Sequence, residues 1–223
     1  FSPYDFEEYD KTSRGGSILF KNYSGTSYTG NGNGTSAHLL IDKSSSSENS
    51  ATTDLYLDAN NWTVKGWMYI NVPMTTSQNF GIMDNYAAST NNSAVRYTGF
   101  GFSLRATSGS PGSYGSHVLR WTHGRAGSST NENFSTTFAP FQWYYIEITN
   151  TAGTVSLKVN GKADSTTYSS DARPTGTWPL RFGAKGSGSY ATQYEFEFAG
   201  FLSDWQIVNG ATAVESSVPS APM

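Results

Sequence analysis

The chain contains no cysteine, which removes disulfides, iron–sulfur clusters and thiolate zinc sites from consideration. Charged residues make up only 14% of the 223 residues, and the formal net charge is −3. Such a balance offers no basic field to a phosphate backbone, so nucleic acid is not an expected partner. No apolar run is long enough to cross a bilayer, and the first residues lack a signal-peptide pattern; membrane insertion is not expected. Histidine occurs only at positions 38, 117 and 123, without the E-x-x-H or H-x-H spacings that gather a transition metal. The chain opens on Phe1 rather than Met, which leaves room for residues upstream.

Aromatic residues reach 15%, with 23 glycines and abundant Ser, Thr and Asn. That mixture suits a rigid β-protein with many turns and argues against a helical bundle. The clearest stretch is Gln142–Thr167. Tyr144, Ile146 and Ile148 alternate with Tyr145, Glu147 and Thr149, and Val155, Leu157 and Val159 alternate with Thr154, Ser156 and Lys158. Both runs have the period of a strand with one buried face. The link Asn150–Gly153 closes them as a hairpin, and Asn160-Gly161 supplies two residues tolerant of positive φ for a second tight turn. Such a meander needs a second sheet to cover its apolar side.

Earlier in the chain, Gly16–Phe20 and Ala37–Asp42 read as short strands, separated by a long polar loop and followed by the Ser-rich run Lys43–Thr53. Trp62–Val72 puts Trp62, Val64, Met68 and Ile70 on one face and Thr63, Lys65, Trp67 and Tyr69 on the other. Gly66 on the inner face marks a close backbone approach or a bulge. Asn79–Asp84, Tyr97–Ala106 and Ser116–Thr122 read as strands, and Arg125–Asn133 as a polar loop. Trp178–Ala184 is a further strand; Tyr194–Val208 is one long strand, or two joined at Gly200. With no helix-period segment, the expectation is one all-β domain over residues 1–223. Residues 1–14 would form an extended lead-in and residues 211–223 an extended tail.

The order of several segments resembles the concanavalin A-like, laminin G-like jelly-roll family. They are Gly15–Phe20, Trp62–Tyr69, Phe141–Ile148, Val155–Gly161 and Gly200–Ile207. The resemblance implies a sandwich of two antiparallel sheets. The lead-in Ser2-Pro3-Tyr4 with Tyr9-Asp10, and the tail Pro219–Pro222, resemble the versions found in bacteriophage tail fibres and virion appendages. This implies a virion surface location, with other virion subunits as neighbours in a homo-oligomer; the alternative is a secreted carbohydrate-binding module. Relatives often carry an acid where Lys65 stands, an Asp where Ser203 stands and an Arg where Gln206 stands. Some bind calcium through carboxylates and carbonyls, but only Asp204 of the closing acidic pair is present, so no cofactor is expected.

Glycosidases on this fold use carboxylates about 5 Å apart. Glu195 and Glu197, two apart on a strand, share a face, but the third acid of the related glucanases is missing. The plainer alternative is that they form the solvent face of a strand whose inner face is Phe196 and Phe198. A lyase would need a Tyr/His pair with Arg and Gln; His117, Arg120, His123 and Tyr194 are available, yet on a strand His117 and Arg120 face opposite ways. No assembled acid–base constellation emerges, so the chain is expected not to be an enzyme. A degenerate hydrolase or lyase is the rival.

A sugar's C–H face packs on an aromatic ring while amides and acids bind its hydroxyls. Trp67 and Tyr69 are open to that reading, or to being covered and structural. The loops Asn85–Asn92, Gly109–Gly115 and Arg125–Asn133 are polar and Gly-rich, with Tyr86 and Tyr114 at two of the tips. Tyr86, Tyr114, Trp121 and Arg125 are therefore the expected contacts to a cell-surface polysaccharide or other glycan.

Overall fold

The computed structural model describes residues 17–20, 39–41, 61–71, 79–84, 99–106, 117–125, 128–169, 180–183, 185–186, 194–195, 198–209 and 217–220. In chain order the strands are β1 (Ser17–Phe20), β2 (Leu39–Ile41), β3 (Trp62–Ile70), β4 (Asn79–Asp84), β5 (Phe100–Ala106), β6 (His117–Arg125) and β7 (Ser128–Phe138). They continue as β8 (Trp143–Thr151), β9 (Thr154–Val159), β10 (Lys162–Ser169), β11 (Leu180–Phe182), β12 (Lys185–Gly186), β13 (Tyr194–Glu195) and β14 (Gly200–Asn209). One six-stranded sheet has the order β1-β14-β3-β8-β9-β10, here sheet A; the other, sheet B, has the order β2-β11-β4-β5-β6-β7. Every pairing is antiparallel. Two such sheets, face to face, are the expected sandwich.

Alternation decides which residues fill the space between the sheets. From sheet A come Trp62, Val64, Met68, Ile70, Ile146, Ile148, Leu157 and Val159; from sheet B come Phe80, Phe102, Leu104, Leu119 and Trp121. The Trp62 ring meets Phe102 and Trp121 edge-on at centroid distances of 6.5 and 6.2 Å. This gives the T-shaped geometry that the ring quadrupoles favour, and it ties the centre of one sheet to the other. The hairpins close as their residues require. Ala152 and Gly153 (φ 48° and 84°) link β8 to β9, and Asn160 and Gly161 (φ 49° and 77°) link β9 to β10. Two successive positive φ values are the turn whose twist suits a two-residue hairpin.

Gly66 faces a bulge in the neighbouring strand. The register of β14 on β3 shifts between Ser203 and Gln206, with Asp204 at φ 54°. Trp205 lies over Gly66, its ring atoms 2.6 Å from where a Cβ would sit. Its indole N–H donates to the Trp67 carbonyl at 2.9 Å. The gap in the inner face of β3 is thus filled from β14.

One expectation needs correction, and one pair of alternatives is decided. Arg125–Asn133 is not a loop: β6 continues to Arg125, and after two residues β7 returns alongside it, pairing from Ser128↔Arg125 to Phe138↔His117. Alternation in β7 is real, with Phe134 and Phe138 inward, but Ser, Thr, Asn and Glu occupy both faces of its first half, so no apolar signal marks it. For Tyr194–Val208 the two-strand alternative holds, with the second strand starting at Gly200. β13 pairs with β12 in a separate two-stranded ribbon, and β14 begins at Gly200, where an added Cβ would lie 1.9 Å from the Tyr69 carbonyl oxygen. Only glycine permits that approach. Ser217–Ser220 is exposed and irregular, with the Val218 side chain 2.9 Å from a Cβ on Gly161. The lead-in, the rest of the tail, Phe196, and the loops around residues 21–36, 43–53, 85–95 and 107–115 lie outside the described residues.

Candidate functional site

Of the four expected glycan contacts, Trp121 and Arg125 lie among the described residues. Trp121 is fully buried at 0% exposure, against Trp62 and stacked on His123 at 4.1 Å. No face of its ring is left for a sugar, so that assignment is corrected: alternation on β6 sends Trp121 inward with His117, Leu119 and His123. Arg125 ends β6, its backbone paired with Ser128. Tyr86 and Tyr114 lie outside the described residues. Glu195 sits in β13 opposite Lys185, and Glu197 lies outside the described residues. Trp67 is 5% exposed among Trp143 and Tyr145, so the structural alternative holds for it. Beside it Tyr69, Trp143 and Phe201 form a partly exposed group, with centroids 5.4, 5.8 and 6.3 Å apart.

The outer face of sheet B gathers a different set. Because Phe102 and Leu104 point inward, Gly101, Ser103 and Arg105 of β5 point outward. On β6 the same alternation turns Val118, Arg120 and Thr122 outward, and on β7 it turns Asn131 and Asn133 outward. The register brings them together. Ser103, Arg120 and Asn133 lie in one rung across three strands, and Gly101, Thr122 and Asn131 in the next. Arg105 is diagonal to Arg120, close enough for their side chains to sense each other.

Local bonds orient the patch. The Arg120 Nε–H donates to Asn133 Oδ1 at 2.9 Å, and the Thr122 hydroxyl donates to Asn131 Oδ1 at 2.8 Å. Each amide thus spends its oxygen inside the patch, which leaves the NH2 as its donor end. Arg120 is half-buried while Arg105, Asn131 and Asn133 are exposed. The Arg120 pKa falls to about 10, through burial first and the charge of Arg105 second. Among the described residues neither arginine forms an ion pair. Glu132, between the two asparagines, alternates to the other side of β7. Gly101 leaves the floor of the patch low, bordered by the buried Asp84, whose Cβ lies 3.0 Å from where its own would be.

What the face offers is a set of hydrogen-bond donors from Arg105, Arg120, Asn131 and Asn133, two of them cationic, while the Ser103 and Thr122 hydroxyls between them are buried. This is equipment for binding a polar, oxygen-rich ligand, and among the described residues it includes no nucleophile with an adjacent base. No three His, Asp or Glu side chains come together as a metal site among the described residues. The arginines were legible earlier than the asparagines. Period-2 alternation in Tyr97–Ala106 and Ser116–Thr122 already sends Arg105 and Arg120 outward. Asn131 and Asn133 were hidden because β7 read as a loop.

Residues 19–216 match the sequence profile of the concanavalin A-like lectin/glucanases superfamily. No curated protein sequence matches the chain. Among solved structures of similar architecture is that of NanB in complex with Optactamide, at 12% identity and a TM-score of 0.52. That match covers 82% of this chain, which spans 26% of the NanB chain. The Ruminococcus gnavus IT-sialidase CBM40, bound to α2,3-sialyllactose, matches at 9% identity and a TM-score of 0.49, over 68% of this chain and 77% of that one. A heptameric SAP-like pentraxin from Limulus polyphemus matches at 15% and 0.43, over 71% and 72%. At these identities the likeness concerns fold.

Proposed function

The chain belongs to the concanavalin A-like lectin/glucanase superfamily, and from that premise we propose that it is a non-catalytic, glycan-binding surface domain. The observation that carries this reading is the outward set Arg105, Arg120, Asn131 and Asn133 on sheet B, in which hydrogen bonds orient Arg120, Asn131 and Asn133 and the buried Asp84 lies at the border. Sugar hydroxyls suit such a surface: a ring of oxygens can accept from several pre-aimed N–H groups at once, and preorganisation lowers the ordering cost of binding. The resemblance of the two chain ends to virion appendages supports a place on a virion surface. There, repeated copies in a homo-oligomer would multiply weak sugar contacts into useful avidity. The partly exposed rings of Tyr69, Trp143 and Phe201 lie on the outer side of sheet A, away from this patch, so subunit contacts there would leave the sugar face open.

The test is a glycan array probed with the labelled chain, repeated with Asn133→Ala. Binding that the substitution weakens several-fold, without lowering the melting temperature by more than a few degrees, supports the assignment. Turnover of a β-glucan or alginate that Glu197→Gln abolishes would overturn the non-catalytic half. A free monomer secreted by a bacterium would overturn the virion half.

A further inference from the structure

The two arginines on sheet B are not explained by binding neutral hydroxyls. Within the fold they are a cost: Arg105 and Arg120 lie diagonal on adjacent strands, their charges repel, and Arg120 is half-buried. On β7 the rungs of Arg120 and Thr122 hold Asn133 and Asn131 rather than an acid, and Glu132 alternates away; the carboxylate on this face is the buried Asp84 of β4, beside Gly101 in the rung of Thr122. Neither arginine forms an ion pair among the described residues. Arg120 is held by its Nε alone, through Asn133, which aims the guanidinium while leaving its terminal nitrogens as donors.

We propose that the sheet-B face takes an acidic saccharide, whose carboxylate sits between Arg105 and Arg120 while the exposed Asn131 and Asn133 bind the neighbouring hydroxyls. This rests on the glycan-binding reading and narrows it. A guanidinium matches a planar carboxylate with two parallel N–H···O bonds, and an anion placed between the two arginines removes their mutual repulsion. A sulfate ester presents a related charge on a tetrahedral group, and the matched sugars below separate the two. Binding therefore strengthens as ionic strength falls, because both cations are near the surface.

The test uses isothermal titration of the full chain with matched pairs: lactose and α2,3-sialyllactose, cellotriose and a tri-uronate, and a sulfated oligosaccharide beside its unsulfated parent. The expected result is at least one carboxylate-bearing sugar bound about tenfold or more tighter than its neutral partner, the scale of one hydrogen bond to a charged group. Arg120→Gln and Arg105→Gln should each erase most of that preference. Arg120→Lys, which keeps the charge but not the fork, should keep the salt dependence and lose much of the carboxylate preference. Circular dichroism and a melting curve on each variant establish that it is folded. Equal affinity for acidic and neutral sugars, still weakened by Asn133→Ala, would sink the acidic ligand and leave the glycan reading standing. A sulfated sugar preferred over every carboxylate would also sink it. No binding by any of these sugars to the folded chain would remove both.

Discussion

At the scale of single residues the fold depends on a few positions where nothing else fits. Gly200 starts β14 with Tyr69's carbonyl oxygen 1.9 Å from any added Cβ. Gly200→Ala should therefore cost at least the about 1–3 kcal/mol of an overpacked site, read as a lowered midpoint in urea with an unchanged slope; a midpoint equal to wild type would show that β14 can shift away. Gly66 differs, because what stands over it is the Trp205 ring, a side chain that can yield. Trp62 is the opposite case, a fully buried ring between Phe102 and Trp121. Trp62→Ala should cost about 3–5 kcal/mol, and a loss below 1 kcal/mol in chemical denaturation would mean that the two sheets do not meet there. Gly66 and Trp62 could be read from the sequence, since each breaks or anchors an alternating run. Trp121 was misassigned because it was grouped with the tyrosines and arginine of the loops, whereas alternation on β6 sends it inward.

Strands raise a different matter, how the open edges are closed. β7 and β10 end sheets B and A on the same side of the sandwich, and Asp164 on β10 joins them. Its carboxylate accepts from the Ser135 N–H and hydroxyl at 3.1 and 2.8 Å, and from the Thr136 N–H and hydroxyl, both at 2.6 Å. It also accepts from the Thr166 N–H at 2.8 Å. Ser135 and Thr136 lie where the register of β7 on β6 slips, so the carboxylate takes up backbone donors from that irregular stretch. The Tyr168 hydroxyl adds a bond to the Asn133 carbonyl, and burial, followed by the Glu132 and Asp164 charges, raises its pKa.

Burial works to raise the Asp164 pKa, but the hydrogen bonds from Thr136, Thr166 and Ser135 outweigh it and hold the pKa down at about 2, from 3.8. A depressed carboxylate stabilises the fold above its unfolded pKa, and that contribution drains away as pH falls from about 4 to about 2. Asp164→Ala should lower stability at pH 7 by at least about 1–3 kcal/mol through stranded donors, and the gap from wild type should narrow toward pH 2. A pH-independent gap in matched urea titrations would count against this clamp. None of it was legible beforehand. Asp164 sits among Ser and Thr in a turn-like string, and its partners belong to a strand with almost no apolar residues.

Over the whole molecule, the sandwich itself was the most legible feature, because alternating runs such as Tyr144–Thr149 and Val155–Val159 fix both the strands and their buried faces. The Asn160-Gly161 turn followed from residues that tolerate positive φ, whereas the first hairpin closes more tightly than its Asn150–Gly153 link, on Ala152 and Gly153. Which face would bind was less visible, since it depends on register between three strands, and register is set by long-range pairing and bulges that local patterns do not encode. One large-scale expectation concerns assembly. A chain that works in a virion appendage should run as a closed oligomer in analytical ultracentrifugation at micromolar concentration; a monomer up to millimolar concentration would argue against that setting.

The central claim is that the outer face of sheet B, and not the aromatic end of sheet A, holds the saccharide. Its most direct test is a two-dimensional NMR titration of the isotope-labelled chain with the sugar it binds best. The account predicts shifts concentrated at the Arg105, Arg120 and Thr122 amides and the Asn131 and Asn133 side-chain NH2 groups. Shifts centred on Tyr69, Trp143 and Phe201, with the sheet-B resonances unmoved, would contradict it.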